Sequence, residues 1–285
     1  MLRRGGSCCA LVAVVSVLFT LARVAPEARA TGRATPGRAA NAVLTTIGYD
    51  ISYPQCGSAL PSGQAFGVVG VNGGLANDAN GCFGGELSWA LASPGLRSPA
   101  QPAASLYINT ADPGPTRGVT DWPRSGSAAY GRCRGGWTQA CAYIYGRSRA
   151  TYSYGLVSAT NSAVARHAPW WLDVETSSSW ATSGRPNHAA LNRAAIRGFI
   201  AGLRSSGATA PTGIYSFTRQ WSEITGLSAA TTGAAFGGSS PRDWVGGNGS
   251  QASAEKACAS RGFTGARPTL AQYRSGGFDA DLRCA

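Results

Sequence analysis

The sequence predicts an α/β fold, an irregular (β/α)8 barrel of the TIM type, on three observations. Eight short strand-like runs alternate with helical or loop stretches over about 240 residues; an eight-stranded barrel with its outer helices needs ~250. One run, Phe66–Val71 (FGVVGV), is apolar almost throughout, the mark of a strand buried on both faces. No strand–GxGxxG–helix unit occurs. The nearest stretch, Gly67-Val68-Val69-Gly70, lacks the spacing, which disfavours the alternative of a doubly wound sheet.

The strand candidates are Thr45–Ser52, Phe66–Val71, Ser105–Asn109, Trp170–Val174, Gly213–Phe217, Asp243–Val245, Thr269–Tyr273 and Phe278–Leu282. The clearest helix covers Asn187–Ser206. There Leu191, Ala195, Phe199, Ile200 and Leu203 form an apolar stripe at helical spacing, and Gly207 suits the position just past the end. A second helix is expected over roughly Trp137–Ala159, with Gly146 and Gly155 as weak points, and a third over Glu86–Ala92.

The N-terminus reads as a secretory signal peptide, residues 1–30. Arg3 and Arg4 precede a 14-residue apolar run, Cys8–Leu21, and Ala28-Arg29-Ala30 fits a cleavage site. The run is short for a membrane span of ~20 residues, so no stable membrane insertion is expected. Residues 31–44 read as a flexible leader and 45–285 as the barrel domain. After removal of the signal peptide, 21 basic residues face 12 acids, a net charge of +9. Only Lys256 is a lysine; every other base is an arginine. In an exported protein that excess favours contact with anionic polymers such as a bacterial wall. The arginines are scattered, with no basic helix or nucleic-acid motif, so nucleic acid is not an expected partner.

Six cysteines remain after the signal peptide: Cys56, Cys82, Cys133, Cys141, Cys258 and Cys284. An even number in an exported chain reads as three disulfides, with 15 possible connectivities. Pairing neighbours along the chain gives 56–82, 133–141 and 258–284. With no C-x-x-C and only His167 and His188, neither a metal site nor a cofactor is expected.

Acids are scarce, so their placement carries information. Asp173 and Glu175 lie two apart in Trp170-Trp171-Leu172-Asp173-Val174-Glu175. Strand side chains alternate, so both acids share one face while Leu172 and Val174 take the other. In a barrel the acids point inward near the strand's C-terminal end, where barrel active sites sit. Two neighbouring carboxyls do not both ionise easily, so one is kept protonated. Such a pair suits glycosidic bond cleavage, in which the leaving oxygen needs a proton and the sugar cation a negative neighbour. A structural acid pair at a strand end is the plainer alternative. Tyr49, Tyr53, Tyr107, Trp170, Trp171, Tyr215, Trp244 and Tyr273 lie in or beside strands, where they either stack on sugar rings or pack the core.

These residues resemble a known family. Gly48-Tyr49-Asp50-Ile51-Ser52 is similar to the opening G-x-D-x-S strand of glycoside hydrolase family 25, the lysozyme-like N-acetylmuramidases. Leu172-Asp173-Val174-Glu175 resembles its central L-D-x-E strand, and Ile214-Tyr215 its later I-Y strand. Gln272-Tyr273 followed by Phe278-Asp279-Ala280-Asp281 resembles its closing Q-Y and D-x-N elements. The motifs come in family order from Ile47 to Asp281. The chain departs from the pattern at Val71-Asn72-Gly73-Gly74, at Tyr107-Ile108-Asn109 and in its six cysteines.

The resemblance implies an irregular α/β barrel and a glycosidase acting on peptidoglycan or a related polysaccharide; with the signal peptide, a secreted monomer with no cofactor is expected. Glu175 would be the proton donor. Asp173 and Asp50 would orient or stabilise the reacting 2-acetamido group, with Asp279 as fourth acid and Asp281 in the Asn place. Tyr53, Asn72, Tyr107, Asn109, Tyr215, Trp244, Gln272, Tyr273 and Asp281 are the expected substrate contacts. The competing expectation is a catalytically silent barrel that holds wall polysaccharide without cutting it.

Overall fold

A computed structural model describes residues 46–285, so the signal-peptide and leader expectations lie outside the described residues. The strands, in chain order, are β1 (Ile47–Ile51), β2 (Gly67–Gly70), β3 (Leu96–Arg97), β4 (Ala100–Gln101), β5 (Ala104–Asn109), β6 (Gly126–Ala128), β7 (Gly131–Cys133), β8 (Trp170–Asp173), β9 (Thr212–Ser216), β10 (Arg242–Asn248), β11 (Pro268–Ser275) and β12 (Phe278–Arg283). Eight of them close a barrel in the order β1-β12-β11-β10-β9-β8-β5-β2, and each of the eight expected runs supplies one barrel strand. The pairs β3/β4 and β6/β7 form two small hairpins outside it.

The helices are α1 (Phe83–Leu91), α2 (Gln139–Thr160), α3 (Ser162–His167), α4 (His188–Ser206), α5 (Thr218–Thr225), α6 (Thr232–Ala235) and α7 (Gln251–Ala259). The three expected helices are α1, α2 and α4, and Gly207 ends α4 at φ 116°. Among the described residues no helix is long and apolar enough to cross a membrane.

The barrel departs from eight-fold β/α regularity at its seam. Only a single 3-10 turn, Tyr53–Gln55, lies between β1 and the loop leading to β2. β11 and β12 are joined by Gly276 and Gly277, with φ of 60° and 88°, between the paired Ser275 and Phe278. A two-residue turn with both central residues at positive φ makes a hairpin, whereas a parallel return needs a crossover of a dozen residues or more. So β12 runs antiparallel to both β11 and β1, while the other neighbours in the barrel are parallel.

Alternation along the strands sorts side chains into two cores. Inside the barrel, Ala65, Phe66, Val68, Trp171, Trp244 and Leu270 form an apolar plug, flanked by Tyr107 and Tyr215. Gly213 on β9 makes room for it: a Cβ there would lie 2.2 Å from the Trp171 ring. Outside, Trp170, Leu172 and Val174 pack beneath the helices. Trp170 stacks on Tyr154 of α2 and donates its indole N–H to the Ala165 carbonyl (2.9 Å). A smaller outer cluster lies beneath α7 and includes Ala254, Ala271, Tyr273 and Ala280.

The cysteines pair as 56–82, 133–141 and 258–284, the neighbour pairing, with Cα–Cα distances of 5.6, 4.7 and 5.1 Å. They tie the loop after β1 to the start of α1, the β6/β7 hairpin to the first turn of α2, and α7 to the segment after β12.

Helices α2 and α4 approach until backbone meets backbone. A Cβ on Gly198 would lie 2.1 Å from the Tyr143 carbonyl oxygen, and one on Gly146 would lie 2.2 Å from that of Ala195. Gly146, a weak point by propensity, is therefore a packing requirement, whereas Gly155 faces open space. Gly198→Ala is expected to cost ~2–3 kcal/mol through overpacking, lowering the melting temperature by about 4–10 °C. Gly155→Ala gains helix propensity of ~0.5–1 kcal/mol and raises it slightly. Thermal unfolding followed by circular dichroism separates the two; equal melting temperatures would rule out the close backbone contact.

Candidate active site

Three strands carry the acids. Asp50 lies on β1, Asp173 ends β8 with Glu175 two residues beyond, and Asp279 and Asp281 lie on β12. Leu172 and Val174 are fully buried in the outer core, so Asp173 and Glu175 take the barrel side, as alternation requires. Asp50 pairs in register with Asp279 across the β1/β12 ladder, at the C-terminal end of β1. Because β12 runs antiparallel, its beginning meets that end, and Asp279 reaches the same mouth as Glu175. Tyr215 on β9 stands among them. Burial raises its phenol pKa first, and then the charges of Glu175, Asp173, Asp50 and Asp279 add to the rise.

The acids sit on a hydrogen-bonded floor. Trp244, 2% exposed, donates its indole N–H to Asp281 Oδ1 (2.7 Å). Gln272 Nε2 donates to Asp50 Oδ2 (2.9 Å), and its Oε1 accepts from the Tyr215 hydroxyl (2.8 Å). Asp281 is itself fully buried and hydrogen-bonded to Asp50. At the rim, Arg274 Nη1 lies 3.1 Å from both carboxylate oxygens of Asp279. Gln220 on α5 reaches back to Glu175 Oε1 (3.4 Å).

Desolvation sets the protonation. Burial, then the charge of Asp279, lifts Asp50 from an ordinary 3.8 to about 8, against the hydrogen bonds from Gln272 and Asp281. Burial, then Asp50, holds Asp281 well above the usual carboxyl range. Burial, then Glu175 and Asp50, does the same to Asp173. Glu175 is also raised, by burial first, with the Gln220 hydrogen bond pulling it back down. Among the described residues no N–H or O–H donor reaches Asp173 Oδ1 or Asp281 Oδ2. The arrangement is two carboxyl pairs, Asp173 with Glu175 and Asp281 with Asp50, in which burial and mutual repulsion push every member up and favour keeping a proton within each pair.

Of the other expected contacts, Tyr53 (48% exposed) stands on the turn directly after β1. Asn109 ends β5 opposite Asp173. Tyr107 lies deeper, its ring edge-on to Trp244. Trp244 and Asp281 are floor, closed to a ligand. Two residues fall outside the site. Asn72 is fully buried and its amide is engaged by the Asp78 carbonyl (3.1 Å), Ser153 Oγ (3.3 Å) and the Asn109 N–H (3.0 Å). Tyr273 faces outward beneath α7, because the strand alternation that turns Gln272 inward turns its neighbour away.

Sequence reasoning missed Gln220 and also Trp180, whose indole N–H donates to the Glu175 carbonyl (2.9 Å). Both are brought in by loops and a short helix that periodicity does not mark. Among the described residues no group of three or more His, Cys, Asp or Glu is arranged to hold a metal ion.

No family model matches this sequence, and no curated protein matches it. Among solved structures the chain is similar to a muramidase from Trichobolus zukalii (15% identity over 85% of this chain and 94% of that one, TM-score 0.47). It is similar to a bacterial lysozyme from Streptomyces coelicolor (16%, 84% and 92%, TM-score 0.48). It is also similar to the modular Cpl-1 endolysin complexed with a peptidoglycan analogue (13%, TM-score 0.43), where 83% of this chain aligns with 53% of that one.

The raised carboxyls make stability depend on pH with a definite sign. Above pH ~4 the unfolded chain ionises at Asp281 while the folded chain keeps the proton, so the stabilisation is fully present below that pH and lost as pH rises. Asp281→Asn keeps the acceptor for Trp244 and removes the titration. The melting temperature of this variant relative to the wild-type protein is expected to rise steadily from pH 4 to 8. A difference constant across that range would show that Asp281 titrates normally.

Proposed function

We propose that the protein is a secreted glycosidase that hydrolyses the amino-sugar backbone of peptidoglycan or a related wall polysaccharide. The observation that carries this reading is the hydrogen-bonded Asp173–Glu175 pair at the barrel mouth, raised by burial and facing Asp50. The ordered motifs resembling family 25 support the substrate class. Three disulfides and the net positive charge support an extracellular chain working as a monomer at an anionic wall, without nucleic acid or membrane insertion.

In this reading the pair holds one proton. Glu175 is the more exposed and longer side chain, and it delivers that proton to the glycosidic oxygen as the C–O bond breaks. With that proton gone both carboxyls are ionised, and Asp173 lies as a carboxylate beneath the sugar cation. Asp173 and Asp50 then stabilise that cation or hold its 2-acetamido group. Water adds to the sugar carbon and returns a proton to the pair, closing the cycle. Tyr107, Asn109, Tyr215 and Tyr53 line the path, and Gln272 fixes Asp50. Asp279, ion-paired with Arg274 at the rim, is the fourth acid of the pocket.

Purified peptidoglycan supplies the test, with reducing ends and fragment masses as the readout. Glu175→Gln removes the transferable proton and is expected to lower release by ~10²–10⁴-fold while pull-down on the polymer persists. Asp173→Asn is expected to cripple release as well. Unchanged release by Glu175→Gln would reject the mechanism. Strong pull-down with no release by the wild-type protein would assign the barrel to the silent binder.

A further inference from the structure

Beside the acids lies a second cavity of about 940 Å³, between the loop that follows β5 and the loop that follows β8. Arg117, Arg185, Trp137, Trp180, Ser178 and Thr182 are among the residues that line it. It is joined to the acid site by its own walls: the Ser178 N–H and the Trp180 indole both donate to the Glu175 carbonyl, at 3.1 and 2.9 Å. The two loops are tied together by the Asp112 N–H donating to the Ser179 carbonyl (2.8 Å).

The cavity is cationic and partly rigid. The Arg185 guanidinium lies 4.0 Å over the Trp137 ring, and the Trp137 indole N–H is fixed by Asp112 Oδ1 (3.0 Å). A guanidinium held on a ring is pre-organised, and its planar fork matches a carboxylate. Neither Arg185 nor Arg117 forms an ion pair; the two ion pairs among the described residues are Arg149–Asp121 and Arg274–Asp279. Asp112 beneath Trp137 is fully buried, and burial pushes it up to about 7, so it offsets only part of the charge of Arg185 near neutral pH. Covalent support comes from Cys133–Cys141, and the Trp122 indole N–H donates to the Gly135 carbonyl (3.0 Å), fixing the loop that carries Trp137.

A neutral sugar ring does not call for two unpaired guanidiniums. The peptide substituents of a wall glycan do, because they carry carboxylates and project from the same chain whose backbone would cross the acids. We propose that this cavity binds the carboxylate-bearing peptide substituent of the glycan, with Arg185 and Arg117 as anchors and Trp137 as the platform. The assignment rests on the glycosidase reading for its substrate and extends it from the sugar backbone to the peptide that decorates it.

The test compares glycan strands bearing their peptides with the same strands stripped by an amidase. The preference, taken as the ratio of kcat/KM on the two substrates, is expected to fall ~10-fold in Arg185→Ala through KM, the loss of one charge-assisted contact, and further when Arg117→Ala is added. Arg185→Lys, which keeps the charge and loses the fork, is expected to recover only part of it. A ratio unchanged in Arg185→Ala overturns the proposal. Calorimetry on Glu175→Gln with a disaccharide-peptide and with the same disaccharide lacking the peptide gives a readout independent of turnover. Tighter binding of the peptide form, lost on adding Arg185→Ala, supports the cavity even if the wild-type protein cuts neither strand, an outcome that would sink the glycosidase reading alone. Cleavage with no preference for the peptide form would leave the glycosidase and remove the cavity.

Discussion

Gly276 and Gly277 allow only one direction of return, and the site depends on that reversal. A parallel last strand would place its first residues at the opposite end of the barrel from Glu175. The antiparallel strand instead sets Asp279 opposite Asp50 and buries Asp281 behind it. One local constraint, two adjacent residues free to take positive φ, thus closes the barrel and assembles carboxyls from its two ends of sequence at one mouth.

The chemistry of that mouth follows from what lies beneath it. Trp171, Trp244, Phe66 and Leu270 fill the barrel interior, so the floor beneath the acids is apolar. Each carboxyl added to the layer above is desolvated on one side and repelled by its neighbours on the other, and both effects favour the neutral form. Burial is the first cause that lifts Asp281, Asp173 and Glu175 above the ordinary carboxyl range. The plug is an electrostatic component of the site as much as a packing one.

Much of this was legible in the residues. The eight runs were readable because buried strands leave apolar or alternating signatures. The facing of Asp173 and Glu175 was readable because the side-chain period of a strand is fixed. The disulfide pairs joined cysteines that are neighbours along the chain. What escaped was whatever depends on three-dimensional closure. The direction of β12 was signalled by Gly276-Gly277 but is not visible in the apolar pattern of the strand itself. Gln220 arrives on α5, a short helix with no long stripe to mark it. Asn72 looked available because an isolated Asn does not show that a loop carbonyl and Ser153 will claim its amide. The proximity of Asp173 and Glu175 was readable from spacing, whereas the relative depth of the two side chains was not.

The near-exclusive use of arginine has a consequence for how the protein responds to its surroundings. A guanidinium stays charged far above any pH at which the carboxyl pairs titrate. The positive field of the arginines is therefore constant over the range in which the mouth gains and loses its protons. That field acts through solvent, where the screening length shrinks from about 10 Å at 0.1 M salt to about 3 Å at 1 M, while the buried carboxyls are shielded from the same ions. Ionic strength and acidity thus address two separate parts of one small barrel, the first the reach of its arginine charge and the second the state of its acids.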